Sequence, residues 1–235
     1  MGWISVHLPL RRRPLPPAHS VDLWLTDLDE LPLEAGPGGL ARRERVLRRR
    51  IQQQFLLRLL LGAYLGIPGK EVSILRPGRG KPELVPEQAA SGLRFNLSHS
   101  GGWLAVAVSR GLEVGVDVER DRPLSRPDEL ARRYFSKREA EWLNGLEPDQ
   151  RMAAFLKQWT AREALVKAMG TGLAGALSEI ELAWQPPRIR RLPGGWPEPG
   201  AWSLLSPDMP AGLYCRLAVP APGVALRCHF LQACA

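Results

Sequence analysis

The spacing of apolar residues changes several times along the chain, and each change predicts an element. From Leu112 to Glu119, read LEVGVDVE, the residues alternate. Leu112, Val114, Val116 and Val118 fall on one side of a strand, because strand side chains point alternately to opposite faces. That side is expected to be core, while Glu113, Gly115, Asp117 and Glu119 share the other. Val6 to Leu8, Val21 to Leu25, Val72 to Leu75, Leu93 to about Ser98 and Leu104 to Val108 read as further short strands. The last of these is expected to turn at Arg110-Gly111 and return through the carboxylate strand as a hairpin. Leu40 to Leu65 has no proline and a single glycine, Gly62. Val46, Ile51, Phe55, Leu59 and Leu60 recur there at helical spacing, which predicts one long helix.

Past Arg120 the pattern becomes helical. Pro127 starts a short helix, Ser136 and Glu139 form a capping box for a second through Leu146, and Pro148 with Asp149 opens a third that runs to about Gly170. Phe155, Trp159, Val166 and Met169 form the apolar stripe of this third helix, with Glu163 at its edge and Lys167 one turn further on. Leu182 to Trp184, Trp202 to Leu205, Tyr214 to Val219 and Val224 to Phe230 read as strands between loops rich in proline and glycine.

At 235 residues and 45% hydrophobic, the chain is long enough for one large domain or two small ones. Charge narrows the choice of partner. Lys+Arg number 32 against 24 Asp+Glu, a net +8, and five of the 32 are lysines. Arginine's planar fork suits phosphate, so a polyanionic ligand or an acidic protein partner fits the excess. Much of it falls on the long helix, at Arg42, Arg43, Arg45, Arg48, Arg49 and Arg50, with Arg58 extending the run. A solvated helix face and a phosphate site both account for that run. No aromatic residue interleaves the arginines before Phe55, so the stacking platform of a single-strand nucleic-acid binder is missing. Cys215, Cys228 and Cys234 have no metal-ligand spacing and are odd in number, which fits a reducing cytoplasm rather than a disulfide scaffold. No apolar run is long enough for a membrane span, and the start of the chain lacks the pattern of a signal peptide.

Four stretches carry candidate chemistry. Asp117 and Glu119 lie two positions apart on one strand face, roughly 6.5 to 7 Å. Side-by-side carboxylates repel unless a cation lies between them, so a hard divalent metal is one reason to place them there, with Gly115 keeping the face open. A polar outer face on a half-exposed strand is the other reading. In LRFNLSHSGGW, Ser98, His99, Ser100 and a glycine pair at a strand end make a candidate anion cradle. Lys81 sits in a turn between Gly80 and Pro82 where its ammonium could reach a ligand, or simply be solvated. Glu163 and Lys167 have the favourable i to i+4 order of a surface ion pair, yet a half-buried glutamate also benefits from a metal or a lysine beside it.

Taken in order, FNLSHSGGW, GVDVE and WTAREALVKAMG, with GKP at Gly80 to Pro82, resemble the 4'-phosphopantetheinyl transferases, specifically the larger single-chain class exemplified by the enzyme that activates surfactin synthetase. The resemblance covers about Arg42 to Gly170. It implies an α+β monomer of two similar lobes, 1–111 and 112–235, related by pseudo-twofold symmetry, each a small antiparallel sheet packed with helices, with the active site in the cleft between. It implies transfer of 4'-phosphopantetheine from coenzyme A to a serine of an acidic acyl or peptidyl carrier protein, with release of adenosine 3',5'-bisphosphate. Asp117, Glu119 and Glu163 match metal ligands, an all-oxygen set that suits magnesium or manganese. Arg42, Arg45 and Arg49, with Ser98 and His99, match contacts to the 3'-phosphate, and Lys81 an adenine or ribose contact. Arg162 stands where the family often has lysine and is carried over as a cofactor contact. Glu163 is expected to accept the serine proton, and Lys167 and His99 to neutralise phosphoryl charge. Another magnesium-dependent phosphoryl or nucleotidyl transferase or nuclease, and a basic nucleic-acid-binding module, are the alternatives. The resemblance and the missing aromatics count against a nucleic acid partner, and neither a membrane nor a second subunit is implied.

Overall fold

The computed structural model describes residues 2–31, 42–78, 80–122, 127–171, 176–184 and 187–233. Its elements follow in the order β1 (Trp3–His7), β2 (Ser20–Asp27), α1 (Arg42–Leu65), β3 (Ile74–Leu75), β4 (Glu83–Leu84), α2 (Pro86–Ala89), β5 (Leu93–Ser100), β6 (Trp103–Arg110), β7 (Gly115–Arg120), α3 (Pro127–Tyr134), α4 (Lys137–Asn144), α5 (Pro148–Met169), β8 (Glu181–Trp184), β9 (Pro187–Arg191), β10 (Ser203–Leu205), β11 (Leu213–Val219) and β12 (Ala225–Gln232). Strands and helices mix in one chain as the α+β expectation requires. Residues 40 and 41 of the predicted long helix, and Cys234, lie outside the described residues.

Four layers are stacked, α1, a five-stranded sheet, a three-stranded sheet and α5. The larger sheet has the order β1-β12-β2-β6-β5 and the smaller β10-β11-β7. Between them lies a core built from alternate residues: Leu23 and Leu25 of β2, Ala105 and Ala107 of β6, Val116 and Val118 of β7, Cys215 and Leu217 of β11. The intervening residues of β2 and β6, Trp24, Leu104, Val106 and Val108, face the other way and pack on Leu57, Leu60 and Leu61 of α1. Strands covered on both faces read as nearly continuous apolar runs, as β2 and β6 do. Among the described residues no helix is long and apolar enough to cross a membrane.

Several expectations are corrected. The larger sheet is mixed rather than antiparallel, because β12 runs parallel to both β1 and β2. The chain's last strand therefore joins the sheet built by residues 3–110 and does not stay with the residues that follow Gly111. Asp22 of β2 helps to hold it there. The Arg227 guanidinium of β12 forks onto this buried carboxylate at 2.6 and 2.9 Å, and Tyr64 of α1 donates to it at 2.6 Å. The expected hairpin from β6 into β7 is also absent. Instead β6 pairs with β5 across the Gly101-Gly102 turn and with β2, while β7 leaves that sheet and pairs with β11. The physical reason is burial: Val114, Val116 and Val118 cover the inner face of the larger sheet, which a strand added to its edge could not do.

Helix α5 does not keep one apolar stripe. From Phe155 to Ala168 it is buried on nearly all sides, because α3 and α4 pack on one flank, the segment through Leu177 and Ile180 on another, and the small sheet beneath. Gly115 is the contact that sets its height above the sheet. A Cβ there would overlap Ala164 O and Ala168 N, so the glycine does not keep the face open, as expected from the strand pattern; it lets helix backbone lie directly on strand backbone. The substitution Gly115→Ala is expected to destabilise the fold by about 3 kcal/mol, the upper part of the range for overpacking, since backbone rather than a flexible side chain must yield. Urea denaturation measures it; a loss below about 0.5 kcal/mol would show that α5 can shift freely.

Candidate active site

Strands β5 and β7 belong to different sheets, yet they lie side by side and are joined by side chains in place of a backbone ladder. Alternation puts Asn96, Ser98 and Ser100 on the face of β5 that meets β7. Asn96 Oδ1 accepts from Val116 N at 3.0 Å, Ser98 Oγ donates to Asp117 Oδ1 at 2.8 Å, and Ser100 Oγ donates to Glu119 Oε2 at 2.6 Å. Ser100 Oγ also accepts from Arg120 N at 3.1 Å. All three side chains are buried. Asn96 went unrecognised as a site residue in the sequence, and Ser100 was read as part of an anion cradle rather than as a partner of Glu119, although their period of two in NLSHS was the available signal.

Helix α5 supplies the rest. With Ala164 and Ala168 seated on Gly115, Glu163 and Lys167 reach the carboxylates of β7. Lys167 Nζ donates to Asp117 Oδ1 at 2.7 Å and to Ser98 Oγ at 3.0 Å. The ion pair of this lysine is thus with Asp117, not the expected i to i+4 pair with Glu163. Glu163 is 7% exposed. Burial, with the charges of Asp117 and Glu119, pushes its carboxyl up to about 7 against the pull of Lys167. Burial likewise raises Glu119, aided by Asp117 and opposed by the Ser100 hydrogen bond, Arg122 and Lys167. Asp117 and Glu119 therefore act on Glu163 with more negative charge than the single ammonium of Lys167 offsets.

Those carboxylates suit a hard dication. Asp117 Oδ2 is buried with no hydrogen-bond partner, and the donors are all oxygen. Among the described residues no group of three or more His, Cys, Asp and Glu side chains is drawn together as a preformed metal cluster. Lys167 and the two serines hold the carboxylate oxygens instead.

His99, next to Ser98 on β5, points to the opposite side of the strand and is exposed. Partial burial of its ring, then the charges of Lys167, Arg50 and Arg49, hold it below the usual histidine range. The basic start of α1 thus lies close enough to act on this imidazole. Arg49 donates to Asp29 at 2.5 Å, Arg45 is exposed, and the side chain of Arg42 lies outside the described residues. At the glycine pair the carboxylates of Asp27 and Asp29 lie so close to Gly102 that a Cβ would meet them, which places negative charge beside this turn. Lys81 is less exposed than its turn suggested. Its Nζ donates to Glu113 Oε2 at 2.7 Å and Val114 O at 2.9 Å, and with Leu84, Arg94 and Phe95 it lines a pocket of about 180 Å³.

Arg162 is placed elsewhere. It is fully buried on the flank of α5 turned to α4, ion-paired with Glu139 and stacked on Phe135 with its guanidinium carbon 4.0 Å from the ring centre. Glu139 also closes the predicted capping box with Ser136 and accepts from Leu182 N at 2.9 Å. Arg162 ties α5 to α4 and β8, so the expectation that it contacts a cofactor is corrected. Helical geometry is the reason: one residue separates it by about 100° from Glu163.

Residues 113–202 match the family model described as the 4'-phosphopantetheinyl transferase superfamily, and residues 43–111 the one described as 4'-phosphopantetheinyl transferase, N-terminal. The chain is 38% identical over 197 residues to the 4'-phosphopantetheinyl transferase HetI of Nostoc sp., covering 79% of this chain and 81% of that one. It is 33% identical over 133 residues to the 4'-phosphopantetheinyl transferase psf-1 of Bacillus pumilus, covering 57% and 54%. A solved structure, the holo-acyl-carrier-protein synthase of Thermotoga maritima, aligns with 46% of this chain and 62% of that one at a TM-score of 0.35 and 20% identity.

The raised Glu163 carboxyl sets a pH dependence. A carboxyl whose folded value lies near 7, above its ordinary 4.5, contributes stability that is fully present below 4.5 and lost as pH rises through 7. With a chelator present, the wild type is expected to lose on the order of 2 to 3 kcal/mol relative to Glu163→Gln between those limits. Urea melts at closely spaced pH values read the difference. Parallel pH profiles would place Glu163 at an ordinary carboxylate value.

Proposed function

The chain belongs to the 4'-phosphopantetheinyl transferase superfamily, and from that premise we propose that it moves 4'-phosphopantetheine from coenzyme A to a serine of an apo acyl or peptidyl carrier protein. One observation carries the chemical reading: at the contact of β5, β7 and α5, Ser98 and Lys167 bond Asp117, and the Glu163 carboxyl is raised by burial and by the charges of Asp117 and Glu119.

The serine oxygen attacks the β-phosphorus of the coenzyme's pyrophosphate. A new P–O bond forms, the bond to adenosine 3',5'-bisphosphate breaks, and the serine proton must leave. Glu163 suits that proton, since a base poised near neutral pH is both ionised in part and able to hold what it takes. Lys167 places a positive charge where the phosphoryl oxygens gain negative charge, and His99, on which Arg49 and Arg50 of α1 act, would join it there. Asp117, Glu119 and Glu163 would hold magnesium or manganese, which when bound supplies positive charge to the pyrophosphate. Asp117 and Ser98 orient the Lys167 ammonium through the bonds described above.

Arg42, Arg45 and Arg49 are proposed to meet the 3'-phosphate, since α1 brings this basic end toward His99, and Lys81 with its pocket to meet the adenosine. Two lobes, 1–111 and 112–235, with β12 crossing back into the first, a cytoplasmic location and a monomeric state complete the reading.

Mass spectrometry of an apo carrier protein after incubation with this protein, coenzyme A and magnesium tests the function. One phosphopantetheine should be added per chain. Asp117→Ala should remain folded and lose transfer by about a hundredfold or more, because it removes a ligand of the proposed metal, whose positive charge acts as the bond breaks; a wild-type rate in limiting magnesium would sink the metal assignment. The helix is tested apart from turnover. Neutralising Arg45 and Arg49 should weaken coenzyme A more than its 3'-dephospho form, read by calorimetry. Equal losses would return α1 to a solvated face.

A further inference from the structure

Beside Arg162, on the side of α5 that meets α4, a pocket of about 210 Å³ opens between α4 and the hairpin of β8 and β9. Arg138 and Trp142, one turn apart and so on one face of α4, line it from one side, and Glu181, Trp184 and Arg190 of the hairpin from the other. The buried Glu139 and Leu182, joined by the bond from Leu182 N at 2.9 Å, close its base.

The register of the hairpin sets this lining. Glu181 pairs with Arg191 and Leu182 with Ile189, so Arg190 is the extra residue of a β-bulge, a device that re-aims a side chain. Arg190 Nη1 and Arg191 Nε each stand 3.9 Å from a Glu181 carboxylate oxygen, beyond hydrogen-bond distance, which leaves the Arg190 guanidinium its donors for another acceptor. The wall is also unsatisfied at Trp184, whose Nε1 is buried with no acceptor among the described residues.

Shape and charge together select the occupant. Trp142 and Trp184 are half-buried, and their flat apolar surfaces suit a planar ring. The charge of Glu139 is met by Arg162, so two cations, Arg138 and Arg190, stand in the pocket against one anion, Glu181. A guanidinium fork matches a carboxylate, and the excess of one positive charge calls for a single one. Sites for drug-sized ligands have roughly 300 to 1,000 Å³, so this smaller space fits a small molecule.

We infer that the pocket between α4 and the β8–β9 hairpin is a binding site for a small planar aromatic monocarboxylate, separate from the active-site carboxylates. The ring would lie against Trp142 and Trp184, and the carboxylate would meet Arg138 and Arg190. Because Glu139 at the base also holds Arg162 and Leu182, an occupant would stabilise the brace between α5, α4 and β8, and with it the fold, by mass action.

The test titrates the full chain with indole-3-acetate, followed by calorimetry and by the Nε1–H resonances of Trp142 and Trp184, assigned through Trp142→Phe and Trp184→Phe. With about thirteen non-hydrogen atoms, this acid should bind with a Kd on the order of 1 mM or below and move both resonances. Tryptophol, which keeps the ring and ends in a neutral hydroxyl, should bind about tenfold more weakly. Arg138→Gln with Arg190→Gln, at two exposed positions, should keep the melting temperature of the free protein, weaken the acid about tenfold and leave tryptophol as it was. Lys167→Met should leave both affinities unchanged. No binding of the acid at about ten times the expected Kd overturns the site, as does equal binding of acid and alcohol, an affinity indifferent to the two arginines, or resonances of Trp142 and Trp184 that stay still. Loss of binding in Lys167→Met overturns it by seating the acid among the catalytic groups. A Gly-Gly-Gly-Trp peptide that binds more tightly than the free acid overturns it in favour of the C-terminal residue of a polypeptide.

Discussion

The close approach of α5 to β7 is the constraint on which the rest of this structure depends. At Gly115 the helix backbone at Ala164 and Ala168 lies on the strand backbone with no side chain between them. Any larger residue would lift the helix, and with it Glu163 and Lys167, away from Asp117. Interior packing is too dense to absorb such a shift locally. The same contact explains why α5 is buried on nearly all sides, since a helix pressed this close to a sheet also presents its flanks to α3, α4 and the segment through Ile180. Arg162 fits that account. Its guanidinium on Phe135 and its ion pair with Glu139 secure the flank opposite the site, and truncating either partner would leave a buried charge uncompensated.

Around that contact the polar groups form a balance that is nearly but not fully closed. Ser98 and Lys167 satisfy one oxygen of Asp117, and Ser100 satisfies one of Glu119. The other oxygen of Asp117 has no partner, and Glu163 is pushed up to about 7. A buried carboxylate cluster with one ammonium is electrostatically costly as it stands, and strongly perturbed groups in such a place are a mark of function. The serines of β5 matter here for position as much as for chemistry. By bonding across to β7 they join two sheets whose backbones do not pair, and so set the carboxylates of one sheet opposite the imidazole-bearing strand of the other.

Helix α1 divides along its length. Its second half is ordinary core, with Leu57, Leu60, Leu61 and Tyr64 on the larger sheet. Its first half combines arginines, two of which act by charge on His99, with apolar side chains that remain in solvent. Helical periodicity alone reads both halves as one amphipathic helix, and only the extent of the sheet beneath distinguishes them.

Much of this protein was legible in its sequence because the deciding physics was local. The period of two from Leu112 to Glu119, the Ser136 and Glu139 capping box, Pro148 at the start of α5 and Gly170 at its end all act within a few residues; both helices appear where their patterns placed them, and β7 takes up the alternating stretch from Gly115 onward. The carboxylates Asp117, Glu119 and Glu163 could be singled out for a similar reason, since burial signals and charge lie in adjacent letters. What depended on neighbours distant in the chain could not be read. The partner of Lys167 is Asp117, fifty positions away, rather than Glu163 one turn below. The role of Gly115 required the helix that lands on it, the burial of Arg162 required Glu139 and Phe135, and the place of β12 between β1 and β2 required both edges of a sheet. A period states which way a side chain points; what stands in front of it is decided by packing the whole chain.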